Sequence, residues 1–261
     1  MSTDIILYLV EGQKEVSVTN QLIQTFNDNN NFKILPNGRH IIYSTTIYGL
    51  YKEIEEYISN ELDFDLLPIL LQKDMKFGPS ILNGLARENV SEIYLLFDFD
   101  PHATNFSKEK IQTLCSFFDN ENENGKLFIN YPMIEVFRHC YKITKAKFNF
   151  FQETCPLPIN GLSRYKSHVS SQFPEIDKMD CQATMKIVIL NTILKANNLL
   201  NNQLIYPSNN TDITQKDLLE YQLIQNEKFH LLSGIPLLIL QYHRYENLKS
   251  FLTIENTPAS K

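Results

Sequence analysis

An unbroken apolar run, Ile5-Ile6-Leu7-Tyr8-Leu9-Val10, gives way to a stretch in which Val16, Leu22 and Ile23 recur among polar residues. The change of period predicts a strand over 5–10 and a helix over 14–27. The alternation goes on: a strand over 40–45, a helix over 47–60, and a short apolar run of undecided type at 66–71. A helix over 79–89, with Pro79 near its start, then leads into the clearest strand, 92–98. Ser107 is placed to cap a helix through about 118, and Asn120 to Gly125 is a polar turn. Lys126 to Asn130 is a short strand, and Pro132 suits the first turn of a helix running to about 143. Strands alternating with helices predict an α/β fold, a mostly parallel, layered sheet flanked by helices.

The second half has another pattern. Pro156, Pro158, Gly161 and Pro174 mark 151–178 as loop with short helices. Residues 180–200 predict a helix whose apolar face is Met185, Val188, Ile189, Ile193 and Leu194. Thr214 can cap a helix through about 229, and 231–243 is apolar enough to be buried. The expected organisation is a catalytic α/β unit over 1–145 and a mainly helical appendage over 146–261.

Composition narrows the class. The chain has 261 residues, with 43% hydrophobic and 21% charged, as in ordinary soluble globular proteins. Leu231 to Leu240 is too short to span a bilayer and contains Gly234 and Pro236. No basic leader precedes the first strand, so a cytoplasmic location without membrane contact is expected. Cys115, Cys140, Cys155 and Cys181 form no CxxC pair, and the histidines form no HxH or HxxxH pattern, which argues against a zinc site or a disulfide framework. The net charge of −6 is uneven. Residues 1–135 are strongly acidic, whereas Arg138, Lys142, Lys145, Lys147, Arg164 and Lys166 face only Glu153 across 136–170. An acidic cluster beside a basic strip suits a protein that holds a metal with one part and a polyanion with the other. The same lysines also fit the solvated face of a helix.

The candidate chemistry lies at the ends of two apolar runs. Glu11 follows the first, with Gly12 allowing a tight turn and Glu15 one helical turn further on. Asp98 and Asp100 end the strand around 92–98, one residue apart and so on one face. In open α/β sheets ligands bind beyond the carboxyl ends of the strands. Glu11, Asp98 and Asp100 gathered there would offer hard oxygen ligands to Mg²⁺ or Mn²⁺. Glu15 can serve the metal or complement a helix dipole. The aspartates can also be Asx turns into Pro101. Glu135, at a helix start after a short strand, can face the same crevice or answer the helix dipole. His102 and Lys126 are open between phosphate contact, proton transfer and a structural role.

Val10-Glu11-Gly12 followed by Asp98-Phe99-Asp100 resembles the TOPRIM domain of topoisomerases, bacterial primases and metal-dependent nucleases. The Glu11 to Glu15 spacing, and Glu135 after Asn130 and Pro132, are closer to the OLD-type and RloB-like nucleases of anti-phage systems. The resemblance covers about residues 4–140. Pro101-His102-Ala103 departs from it where many such domains have glycine. It implies a TOPRIM-like, Rossmann-like sheet and phosphodiester hydrolysis of DNA or RNA. Glu11 would be the acid–base group or a ligand, Asp98 and Asp100 would hold Mg²⁺, and the basic strip would hold the nucleic-acid backbone. No GxxxxGK[ST] segment is present, so ATP control would come from a partner ATPase. Two other readings stand beside it: a non-catalytic, TOPRIM-like partner-binding module, and a haloacid-dehalogenase-type phosphatase with Asp98 as nucleophile. The C-terminal helices are left as a dimer face, a partner dock or a substrate clamp.

Overall fold

A computed structural model describes residues 5–27, 32–74, 82, 84–139, 150–152, 154–156, 162–173, 182–209, 213–225 and 228–252. Its centre is a five-stranded sheet. The strands are β1 (Ile5–Val10), β2 (Arg39–Ile42), β3 (Val90–Asp98), β4 (Asp119–Asn120) and β5 (Gly125–Asn130). They lie in the order β2-β1-β3-β5-β4. All neighbours are parallel except the short β4, which is antiparallel to β5. Leu7 to Val10, Ile93 to Phe97 and Leu127 to Asn130 are buried without alternation, as strands covered on both faces must be.

The helices are α1 (Gln13–Asn27), α2 (Ile47–Ser59), α3 (Leu66–Asp74), α4 (Lys108–Phe117) and the short α5 (Val136–His139) in the first half. After them come β6 (Thr154–Pro156), α6 (Leu162–Gln172), α7 (Gln182–Asn201), α8 (Gln215–Leu223), β7 (Lys228–His230) and α9 (Gly234–Leu252). β6 and β7 pair in a small antiparallel ribbon. Helix α7 packs on α1 and α9, α9 packs on β5, and α4 packs on α2 and α8. One continuous apolar core runs from Leu7 in β1 to Leu252 in α9.

The caps at Ser107 and Thr214 and the strands β1, β3 and β5 are where the residues predict them, whereas β4, β6 and β7 are not foreseen. Ser107 Oγ accepts from the Lys110 amide at 3.3 Å and Thr214 Oγ1 from the Asp217 amide at 3.0 Å. Helix ends differ from expectation. The undecided run at 66–71 is the helix α3. Of the expected helix 79–89, residues 84–86 are turn and extended chain and Arg87–Asn89 is a single 3₁₀ turn; 79–81 and 83 lie outside the described residues. The strand expected to 45 stops at Ile42, and Ser44 takes a positive φ of 62°. The helix expected to 229 stops at Leu223, because Lys228–His230 pairs with β6 instead. Pro132 does not open a helix. Tyr131 exchanges two backbone hydrogen bonds with Leu232, at 2.8 and 3.0 Å, and the Pro132 carbonyl accepts from the Phe99 amide at 3.1 Å. The chain therefore stays extended past Asn130 and turns helical only at Val136; 140–143 lie outside the described residues.

The outer edge of β5 explains how the second half is attached. Its amides at Leu127, Ile129 and Tyr131 point away from β3, and each needs an acceptor. They find the Phe118 carbonyl at 2.9 Å, the Gln215 Oε1 at 3.0 Å and the Leu232 carbonyl at 2.8 Å. Gly234 closes the contact: a Cβ there would stand 3.0 Å from the Ile129 backbone.

Candidate functional site

The strand order reverses between β1 and β3. The chain leaves β1 for β2 on one side and returns to β3 on the other. Loops that diverge in this way open a crevice beyond the carboxyl ends of the two strands. Glu11 and Asp98 stand at that crevice. The Glu11 amide continues the ladder onto the Leu96 carbonyl at 3.2 Å, and Glu11 Oε2 accepts from the Asp98 amide at 3.2 Å. Side chain and backbone thus lock the two strand ends together.

Each neighbouring carboxylate has its own support. Glu15 Oε2 accepts from the Gly12 amide at 3.0 Å, which is half of a capping box for α1. Gly12 has room for a methyl group, its nearest neighbour at 3.6 Å, and no positive φ, so the turn does not require glycine as expected. Asp98 Oδ1 accepts from Asn130 Nδ2 at 3.2 Å. Asn130 is fully buried, and its Oδ1 accepts from Ser233 Oγ at 3.2 Å and the Gly234 amide at 3.0 Å. Glu135, also buried, takes a salt bridge from Lys14, with Lys166 Nζ at 3.9 Å. Strand β3 ends at Asp98, and Asp100 has a positive φ of 21°, so the two aspartates do not share a strand face. Asp100 Oδ1 accepts from the His102 amide at 3.3 Å, an Asx turn. Tyr48 donates to the Phe99 carbonyl at 2.9 Å and braces the same turn.

Electrostatics set this cluster apart. Burial, with Glu15 and Asp100 adding repulsion, raises Glu11 to about 7 against the pull of the Asp98 amide. Burial and Glu135 raise Glu15 to about 7, although the Gly12 amide and Lys14 oppose them. Burial, then Glu15, Glu11 and Glu135, pushes Asp98 well above the usual carboxylate range.

The structure therefore brings Glu11, Glu15, Asp98 and Glu135 into mutual electrostatic range, with Asp100 beside Glu11. His102 is exposed on the turn that follows. Lys126 is not part of the group. It is the second residue of β5, opposite Tyr94 and at the other end of the strand from Asn130, and pairs with Glu121 at 3.4 Å. Arg138 is not a surface contact: it is buried, and its Nη2 donates to the Phe173 carbonyl at 2.8 Å. Arg164 and Lys166 are exposed on α6, and Lys142, Lys145 and Lys147 lie outside the described residues.

Lys14 and Tyr48 join the site without having been singled out from the sequence, and Asn130, noted there only as a motif residue before Glu135, is the partner of Asp98. Lys14 did carry a signal, since a cation in a first helical turn opposes the dipole and calls for an anion. Tyr48 carried none, because its partner is distant in sequence.

The donor set suits a hard divalent cation: it is all carboxylate oxygen. As the side chains stand, no three of the described His, Cys, Asp and Glu residues already converge on one metal position. Among the described residues no helix is long and apolar enough to cross a membrane. No family model, curated protein or solved structure matches this chain.

Proposed function

We propose that the protein is a Mg²⁺- or Mn²⁺-dependent nuclease built on a TOPRIM-like domain, and that its centre is the crevice between β1 and β3. The observation that carries this reading is the crowding of Glu11, Asp98 and their neighbouring carboxylates at a strand-order reversal, with Glu11, Glu15 and Asp98 holding their protons unusually tightly. Carboxylates crowded in this way are costly to ionise unless a cation joins them. Asp98 and Asp100 would hold the ion, with Glu11 and Glu15 beside them. The bound ion supplies Lewis acidity towards a phosphodiester. Glu11 can take or give a proton near neutral pH at the oxygen that the Asp98 amide does not hold. Asn130 orients Asp98, and the Lys14–Glu135 pair keeps the α1 entrance in place. A partner ATPase would gate the activity.

A second reading, a metal-free partner-binding module, draws on the hydrogen bonds and ion pair that Glu15, Asp98, Asp100 and Glu135 already have within the chain. One experiment separates the two. Plasmid DNA, linear DNA and total RNA are incubated with wild type, Glu11→Gln and Asp98→Asn in Mg²⁺, Mn²⁺ or EDTA. The nuclease reading expects cleavage that EDTA abolishes and that either substitution lowers by about 10²-fold or more. Folded protein that neither cleaves nor binds Mn²⁺ overturns it in favour of the module.

A further inference from the structure

Helix α6 reads Leu-Ser-Arg-Tyr-Lys-Ser-His-Val-Ser-Ser-Gln and contains no carboxylate, in a chain of net charge −6. One side of it is fixed. Tyr165 and Val169 are buried, the Tyr165 hydroxyl meets His139 Nδ1 at 3.1 Å, and Arg138 Nη2 holds the Phe173 carbonyl just beyond the helix. With that face pinned to α5, the adjoining face is left exposed. Arg164, Ser167, His168 and Ser171 follow one another at helical spacing and line an open concavity of about 490 Å³. A guanidinium, an imidazole and two hydroxyls make up the lining. The Ser171 hydroxyl donates to the His168 carbonyl at 3.0 Å, a bond inside the helix that a stronger acceptor can displace. Lys166, on the same helix, reaches to 3.9 Å from Glu135 and so ties this helix to the carboxylate crevice.

The geometry points to α6 as the element that grips the nucleic-acid backbone. Arg164, Ser167 and His168 receive a phosphate outside the reacting one, and Lys166 lies between that phosphate and the carboxylates. Guanidinium groups match phosphate oxygens in pairs, and hydroxyls add neutral contacts that fix register without reading sequence. A polyanion approaching the crevice meets the repulsion of Glu11, Asp98 and Asp100, so it needs a cationic landing strip close by. The proposal rests on the nuclease reading for its substrate class.

The test measures binding of fluorescent single-stranded and duplex DNA and RNA, about 20 nucleotides long, by anisotropy of the full chain in EDTA across a salt series. Arg164→Ala is expected to weaken binding about 10-fold and to flatten the salt dependence by about one phosphate contact. Arg164→Lys keeps the salt dependence but loses part of the affinity. Lys52→Ala, on the exposed side of α2, changes neither. Circular dichroism confirms that each variant is folded. Equal effects of Arg164→Ala and Lys52→Ala overturn the proposal. So does Arg164-dependent binding of phosphatidylserine vesicles or a phosphopeptide by protein that binds no nucleic acid. Cleavage with KM unaltered by Arg164→Ala removes the α6 site and leaves the nuclease reading intact. Arg164-dependent nucleic-acid binding by folded protein that neither cleaves nor binds Mn²⁺ sustains the α6 site and removes the nuclease reading.

Discussion

A lysine in the first turn of a helix sits against the partial positive charge of the N-terminus. Lys14 occupies such a place because buried Glu135 holds it there. Lys14→Met should cost about 1–2 kcal/mol at pH 7, below the cost of breaking a fully buried pair because Lys14 is about half exposed. Urea melts of Lys14→Met, Glu135→Gln and the double variant check this, and the Lys14 effect should largely vanish once Glu135 is neutral. Asn130→Ala should loosen Asp98 and weaken Mn²⁺ binding about 10–100-fold by calorimetry, with the fold retained. Equal Mn²⁺ affinity would mean that Asp98 needs no such support. Glu11 and Asp98 were legible in the sequence because a carboxylate directly after an apolar run has few structural uses. Asp100 was legible as a residue but not in its position, because the backbone reversal that moves it off the strand is a positive φ that no neighbouring glycine announces.

At the scale of elements, β1 and β3 could be read because strands buried on both faces are continuous apolar runs. Helix ends could not, because what stops them is tertiary. Helix α8 ends where Lys228–His230 is drawn to β6, and the chain after Asn130 stays extended because Tyr131 is bonded to Leu232. The same reach across the sequence makes Gly234 a sensitive position. Gly234→Ala places a methyl group 3.0 Å from the Ile129 backbone, which has no flexible end to yield. It should cost about 1–3 kcal/mol, the usual cost of overpacking, seen as a lower urea midpoint with an unchanged slope. Gly12→Ala is the contrast: there is room for the added methyl group, and stability should stay within about 1 kcal/mol of wild type.

For the whole molecule, the crowded carboxylates predict a response to pH. Native Glu11 and Glu15 hold protons up to about 7, whereas their ordinary value is 4.5. Between those values the native state binds more protons than the unfolded chain, so their contribution to stability falls as pH rises and is fully lost above about 7. His40 and His230, lowered to about 4 by burial, act in the opposite sense between about 4 and 6.5. The carboxylate contribution is therefore read as a difference: Glu11→Gln should gain Tm over wild type from pH 5 to about 7 in EDTA and hold that gain at pH 8. Mg²⁺ should raise the wild-type Tm most at pH 8. A constant difference across that range would mean that Glu11 titrates as an ordinary carboxylate. Asn130 adds a constraint of a different kind, one of order in time. It is fixed by Ser233 and Gly234, more than a hundred residues downstream, and those bonds hold the residue that orients Asp98. While the ribosome is still adding residues before Ser233, Glu11 and Asp98 already exist as polymer, but the support that aligns Asp98 does not. A nascent or prematurely terminated chain of this protein carries Glu11 and Asp98 without the bonds that fix the partner of Asp98.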